Sequence, residues 1–292
     1  MMPTISKNHI IIDRLVRTSD FDMPANHNHP YHEFYYLVSG SRKFFINHSF
    51  YTLYPNDIML IANGDLHRTT YNTKEQEHER ICIYFDDIFL AELKTEFGAE
   101  LINSCFFYPK LTLVAKENDY VLSLFDKMLT EQEEQDSFTP FLLKQWLKEL
   151  LLFILRIKLK NRVKLGAVNQ AEIDISERNL QKSALQIQKA ARFICDNYHK
   201  GITLNEAAAK ANMSATYFSM KFKEETGFGF KEYLNHMRLK EALHLLTETK
   251  ESITDIALQC GFNDSNYFSD VFRKVYGISP REYRKKATVK PH

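Results

Sequence analysis

Cysteine is scarce in this chain of 292 residues: the four, at 82, 105, 195 and 260, form no CxxC pair. That argues against a disulfide framework and a zinc ribbon, and fits a reduced interior. Long apolar runs are missing too. The longest, Leu150 to Leu155, falls well below the roughly 18 residues that would read as a membrane span. The first residues, Met1-Met2-Pro3-Thr4, show no basic stretch leading into an apolar core, so a cytoplasmic protein with no membrane partner is expected. Nor is there an excess of charge: 38 Lys and Arg face 37 Asp and Glu, and a net charge of +1 gives by itself no sign of a nucleic-acid partner. No Walker loop, dinucleotide fingerprint or Ser/His/Asp arrangement occurs, which leaves the enzyme classes built on them without support. What is present is a composition 44% hydrophobic and 13% aromatic, ample for real cores, over a length that suits two domains.

From about 10 to 86 the chain reads as short β segments: Ile10 to Ile12, Glu33 to Ser39, Phe44 to Ile46, Ile58 to Ala62 and Ile81 to Phe85. Turn signals at Ser39-Gly40, Pro55-Asn56-Asp57 and Asn63-Gly64-Asp65 separate them at the spacing of an all-β sandwich or barrel. After residue 115 the period becomes helical, with Val121, Phe125 and Met128, and Thr139-Pro140 predicts a second helix start. That helix carries Leu143, Leu147, Leu150, Ile154 and Ile157 as a seam and Leu142, Trp146, Leu151 and Phe153 on its other faces. So much apolar surface predicts a helical hairpin that packs on the barrel and also joins two chains as a homodimer. Residues 163 to 182 lose the apolar periodicity and read as a linker.

The last 110 residues repeat themselves. Leu204-Asn205-Glu206-Ala207-Ala208 matches Ile253-Thr254-Asp255-Ile256-Ala257 at an offset of 49. After a one-residue insertion, Phe218, Phe222, Lys223, Gly227 and Tyr233 match Phe268, Phe272, Arg273, Gly277 and Tyr283 at an offset of 50. Each copy predicts a short helix, a turn and a second helix ending at glycine. Thr203 with Glu206 and Ser252 with Asp255 mark the first helix starts, Ser214 and Asp264 the second. Two such pairs fit the helix-turn-helix motif, whose second helix enters the DNA major groove. The charge divides accordingly: residues 183 to 292 hold 17 Lys and Arg against 12 Asp and Glu, a basic half that the whole-chain total conceals.

Ile253 to Ala257, Gly261-Phe262, Tyr267-Phe268, Phe272-Arg273 and Gly277-Ile278-Ser279-Pro280-Arg281-Glu282-Tyr283-Arg284 resemble the DNA-binding domain of AraC/XylS-type transcription regulators. The resemblance covers roughly the last hundred residues. It implies that a long helix around Phe230 to Thr247 joins two helix-turn-helix units whose recognition helices enter successive major grooves about 34 Å apart. It also implies that Thr216, Ser219 and Met220 on the first recognition helix, and Ser265, Asn266, Ser269 and Asp270 on the second, face base edges. Lys221, Lys223, Arg273, Lys274, Arg284 and Lys285 are the candidates for phosphate contacts, which carry no sequence information. Double-stranded DNA and, by family analogy, RNA polymerase are the implied partners, and activation the implied role.

Six of the eleven histidines fall between residues 27 and 78. His27-x-His29-x-x-x-Glu33, then Gly40, then Gly64-x-x-His67 resembles the two motifs of the cupin barrel family. In metal-binding cupins the matching positions, here His27, His29, Glu33 and His67, hold one divalent cation. Pro30 interrupts the strand alternation, and Ala62 stands where the second motif usually has proline. Sensor domains of the AraC type keep such a pattern without metal, as a pocket for a small effector. The pocket residues expected here are His29, Glu33, Tyr35, Leu37 and His67, with Arg42 or Lys43 nearby. Aromatic faces with a few polar groups suit a sugar, and an aromatic acid or a peptide-like signal is equally compatible.

The expected architecture is therefore α+β: a cupin-like effector-binding and dimerisation domain over 1–162, a linker over 163–182 and a double helix-turn-helix domain over 183–292. The expected function is a non-enzymatic, effector-controlled DNA-binding regulator. The alternatives are a metal-dependent cupin enzyme fused to a helical DNA-binding domain, and a DNA-binding protein whose barrel serves only to dimerise.

Overall fold

The computed structural model describes residues 10–18, 29, 31–71, 77–164 and 182–288. His27 and most of the expected linker lie outside them. The chain separates into two compact units, one of Met1–Ile46 with Phe50–Asn179, the other of Leu180–His292 with Asn47–Ser49.

The strands of the first unit are β1 (Ile11–Arg17), β2 (His32–Ser39), β3 (Arg42–Ile46), β4 (Ser49–Leu53), β5 (Asp57–Ile61), β6 (His67–Tyr71), β7 (His78–Phe85) and β8 (Lys110–Thr112). They form a five-stranded sheet in the order β1-β7-β2-β5-β8 and a three-stranded sheet in the order β4-β3-β6. Each of the expected turns contains a residue with positive φ: Gly40 at 82°, Asn56 at 72° and Gly64 at 76°. Glycine and asparagine take this backbone at least cost.

Strand alternation makes the larger sheet a partition. Phe34 and Tyr36 of β2, Ile58 and Leu60 of β5, and Ile81, Ile83 and Phe85 of β7 pack against helical side chains such as Leu90, Val121, Phe125, Leu147 and Ile154. The intervening residues Tyr35, Leu37, Met59, Ile61, Cys82 and Tyr84 join Phe44, Ile46 and Leu53 of the smaller sheet in a separate core, the interior of a cupin-like barrel. A strand buried on both faces loses its polar alternation, which is why β5 reads Asp-Ile-Met-Leu-Ile and is buried throughout.

The helices of this unit are α1 (Asp87–Phe97), α2 (Ala99–Phe107), α3 (Ala115–Glu134) and α4 (Thr139–Lys164). Asp86 caps α1 by accepting from the Phe89 N–H at 3.0 Å. The start of α4 differs from the sequence reading: Asp136 Oδ1 accepts from the N–H groups of Phe138 and Thr139, so the cap precedes Thr139. The apolar surplus of α4 is also largely covered within its own unit. Leu143, Leu147, Leu150, Leu151, Ile154, Leu155 and Ile157 are all buried, with α3 on one side and Leu90, Leu93, Ile102 and Phe106 of α1 and α2 around Leu151 and Leu155. Phe138 and Phe141, at its first turn, stay exposed.

The second unit comprises α5 (Lys182–Asn197), α6 (Leu204–Lys210), α7 (Ala215–Thr226), α8 (Phe230–Glu248), α9 (Ile253–Gln259), α10 (Ser265–Tyr276) and α11 (Pro280–Thr288). Its two helix-turn-helix copies, α6–α7 and α9–α10, agree in detail. The hydroxyls of Thr203 and Ser252 cap α6 and α9, and Ser214 and Asp264 cap α7 and α10. At the turn, Met213 N–H donates to Ala208 O at 3.0 Å and Phe262 N–H to Ala257 O at 2.9 Å, following positive φ at Asn212 and Gly261. Gly227 and Gly277 close the recognition helices in the left-handed conformation. Phe222 stacks edge-on against Tyr233 at 5.3 Å and Phe272 against Tyr283 at 5.7 Å.

At the centre of α8, Arg238 ties the two copies together. Its Nε donates to Tyr198 O at 2.8 Å and its Nη2 to Lys200 O at 3.1 Å, while the guanidinium lies 5.5 Å from the centre of the Phe262 ring.

Candidate functional site

In the first unit, His29 before β2, Glu33 in β2 and His67 at the start of β6 converge in the barrel. One ligand atom from each lies within 4.8 Å of the others, and all three residues are buried. His29 Nε2 is 3.2 Å and His67 Nε2 3.7 Å from Glu33 Oε2. The other ring nitrogens face main-chain carbonyls, His29 Nδ1 at 2.8 Å from Tyr31 O and His67 Nδ1 at 3.0 Å from Asp65 O. A carbonyl only accepts, so Nδ1 carries the hydrogen and both Nε2 atoms turn toward the carboxylate. The two Nε2 atoms and the carboxylate thus converge on one point in the barrel.

Burial raises the Glu33 pKa, but the hydrogen bond from His29 and the charges of His67, His29 and Arg80 outweigh it and bring it down to about 2. Two imidazoles and a carboxylate, each ring oriented by a carbonyl, are a donor set that fits a divalent first-row cation. His29, Glu33 and His67 would hold it, and its remaining coordination positions would polarise an oxygen of a bound molecule.

Tyr35 and Leu37 continue along the same face of β2, both buried. Arg42, expected near the pocket, and two residues that sequence reasoning did not single out complete the wall. Cys82 Sγ donates to Glu33 Oε1 at 3.3 Å, Tyr84 meets His29 edge-on at 6.1 Å, and Arg42 Nη2 donates to Thr69 Oγ1 at 3.2 Å. The alternation His78, Arg80, Cys82, Tyr84 against Glu79, Ile81, Ile83, Phe85 is the signal that would have placed them.

His78 is buried, and its pKa falls to about 3 because burial, and then the charges of Arg42, Arg80 and Arg17, disfavour its protonated form. Between the ordinary value of 6.5 and that lowered value, the unfolded chain binds a proton that the folded chain does not. Stability contributed by neutral His78 is complete above the unfolded pKa and declines as pH falls through this window. A His78→Gln variant is expected to lose less stability than the parent between pH 6.5 and 4, as read from urea midpoints. Equal losses would remove His78 as the source.

In the second unit the outward faces of α7 and α10 form the candidate nucleic-acid interface. Phe218, Phe222, Phe268 and Phe272 are fully buried, which turns Thr216, Ser219 and Met220, and Asn266 and Asp270, outward as exposed residues. Ser265 and Ser269 are half-buried, and the Ser269 hydroxyl donates to Ser265 O at 2.8 Å. Among the basic candidates, Lys223, Arg273, Lys274 and Lys285 are exposed. Lys221 instead pairs within its helix, with Glu224 and Glu225 each at 3.1 Å. Arg284 Nε donates to Leu246 O at 3.3 Å and holds α11 against α8.

Two family models match the chain, one described as an AraC-like ligand binding domain over residues 14–151 and one as a helix-turn-helix domain over residues 207–286. The chain is 26% identical over 275 residues to the HTH-type transcriptional activator RhaS of Escherichia coli, spanning 92% of this chain and 90% of that one. Among solved structures, the C-terminal domain of the two-component response regulator YesN from Fusobacterium nucleatum is 36% identical, covering 32% of this chain and 93% of that chain with a TM-score of 0.32. ToxT from Vibrio cholerae is 16% identical, covering 97% of this chain and 98% of that chain with a TM-score of 0.37. No helix among the described residues is long and apolar enough to cross a membrane.

Proposed function

The chain belongs to the AraC/XylS family of transcription regulators, and from that premise we propose that it is a cytoplasmic, homodimeric activator controlled by a small polar effector, such as a sugar, held in its barrel. In this reading residues 1–162 sense and dimerise, 163–182 link and 183–292 bind DNA. Thr216, Ser219 and Met220 of α7, with Ser265, Asn266, Ser269 and Asp270 of α10, face base edges, and Lys223, Arg273, Lys274 and Lys285 hold phosphates. The exposed Phe138 and Phe141 at the start of α4 extend the dimer contact, and the DNA-bound dimer engages RNA polymerase. The pocket comprises His29, Glu33, Tyr35, Leu37 and His67.

The observation that carries this reading is the repeated geometry of α6–α7 and α9–α10, with matching caps, turns and buried phenylalanine pairs. Two identical frames leave two equivalent outward faces, the requirement for reading two neighbouring stretches of one DNA side. Effector control then requires that the bound molecule favour one of two arrangements of the protein, and DNA must in turn alter effector affinity by the same factor.

The test is a titration of the full chain on the promoter region of its own gene and on random DNA of equal length. The promoter DNA is expected to bind at least about 10³-fold more tightly, with affinity for both falling steeply with salt. Equal affinities at moderate salt would overturn the proposal.

A further inference from the structure

The barrel interior has two chemically different ends. One is the His29, Glu33 and His67 cluster. The other is lined with cations. Arg42 of β3 is 1% exposed and Arg80 of β7 8%. Arg42 shares its strand face with Phe44 and Ile46, and Arg80 with Cys82 and Tyr84, all part of the interior core. Arg17 lies opposite His78 in the ladder between β1 and β7. Arg80 donates to both carboxylate oxygens of Asp13, at 3.0 and 3.4 Å. At His78, burial first and then the charges of Arg42, Arg80 and Arg17 disfavour a further positive charge.

Tyr35 stands between the two ends. Its ring packs edge-on against Phe44 at 4.9 Å and lies 5.9 Å from the Arg80 guanidinium. It is 4% exposed, and its hydroxyl has no hydrogen-bond partner among the described residues. A buried hydroxyl without a partner among the described residues, beside the Arg80 guanidinium, is a donor held ready for an acceptor.

We propose that the effector is an anion whose carboxylate or phosphate oxygens are received by Arg42, Arg80 and the Tyr35 hydroxyl, with Thr69 at the edge of the site. This rests on the effector reading of the barrel and names the ligand class. The Arg42 guanidinium presents planar N–H groups that suit the oxygens of an oxyanion, while Arg80, whose Nη1 and Nη2 already meet Asp13, adds its charge. Glu33 and Tyr35 are two residues apart on β2, about 7 Å along the strand. One sugar ring spans that distance, so an acid group at the cationic end sets hydroxyls against Glu33, His29 and His67. A sugar acid or a sugar phosphate satisfies both ends.

The experiment measures thermal stabilisation and binding of the full chain at matched ionic strength. The probes are D-glucuronate, D-galacturonate, glucose 6-phosphate and inorganic phosphate, against D-glucose, D-galactose and chloride. At least one acid is expected to bind about 100-fold more tightly than its neutral parent, and the uronate and sugar phosphate arms tell which oxyanion is preferred. Tyr35→Phe, which removes only the unpartnered hydroxyl, is expected to weaken that acid about tenfold without lowering the midpoint of the unliganded protein. Arg42→Lys keeps the charge, breaks the planar fork and is expected to weaken it further.

The proposal is overturned if neutral sugars stabilise as well as the acids. It is equally overturned if no acid, inorganic phosphate included, exceeds chloride, or if both variants bind like the parent. A neutral sugar that alone stabilises the protein and shifts its operator affinity would end the anion assignment and keep the effector reading. An acid that binds through Arg42 and Tyr35 yet leaves operator affinity unchanged would keep the site and end its role in control.

Discussion

Gly261→Ala is expected to cost the DNA-binding unit about 3 kcal/mol or more, and with it DNA binding near physiological temperature. Gly261 has φ of +87°, and a Cβ placed there would sit 2.8 Å from the carbonyl oxygens of both Tyr198 and His199. Those oxygens belong to main chain just past α5, and Arg238 also holds the Tyr198 carbonyl, so the obstacle cannot rotate away as a side chain would. Gly277 separates the two contributions. It has φ of +75° and nothing within 4 Å of the added carbon, so Gly277→Ala pays only the left-handed backbone strain, roughly 1–2 kcal/mol. For a unit of this size, 1 kcal/mol shifts the thermal midpoint by about 4–8 °C. The Gly261 variant should therefore melt at least about 12 °C lower than the parent, well below the Gly277 variant. Equal midpoints for the two variants would show that the Tyr198–His199 segment moves aside.

The second large effect concerns how the interface divides its labour. Replacing Lys223, Arg273 and Lys274 together with alanine is expected to reduce the slope of log affinity against log salt by about 3 and to weaken promoter and random DNA alike. Asn266→Ala should do the opposite. It is expected to cost about 1–3 kcal/mol on the promoter site and close to nothing on random DNA, because an asparagine amide can pair with an adenine edge and a methyl group cannot. Lys221→Ala serves as the internal control. Its charge is already answered by Glu224 and Glu225, so its removal should barely change the salt slope. A Lys221 variant with as large a change as Lys223 would mean that the intrahelical pairs open on DNA.

The second unit was legible almost to the residue because its signals are local. Caps, turn residues and phenylalanines four apart lie within one helix or one turn of each other, and the repeat states each of them twice. The barrel was less legible. Glu33, His29 and His67 stood out as a motif, but Arg80, Cys82 and Tyr84 reach the same interior from a strand some fifty residues further on, and only the pairing of β7 with β2 brings them there. Strands β4, β6 and β8, Ser-Phe-Tyr-Thr-Leu, His-Arg-Thr-Thr-Tyr and Lys-Leu-Thr, carry no clear alternation of apolar and polar residues. Helices α1 and α2 were missed although Asp86 with Phe89, Leu90 and Leu93 carried a cap and an apolar face. The surplus apolar surface of α4 predicts a face that packs on the barrel and also joins two chains, and α1, α2 and α3 cover most of it.

The partition formed by the five-stranded sheet has an evolutionary consequence. Along β2, positions 33, 35 and 37 belong to the interior and 34 and 36 to the helices; along β7, 80, 82 and 84 belong to the interior and 81, 83 and 85 to the helices. Mutations that retune which molecule the barrel accepts and mutations that retune the helical packing therefore fall on alternate codons of the same strands. A lineage can change its signal while the helix-facing residues are inherited intact. Because the two faces share one backbone, a change that shifts a strand on one side is still transmitted to the other.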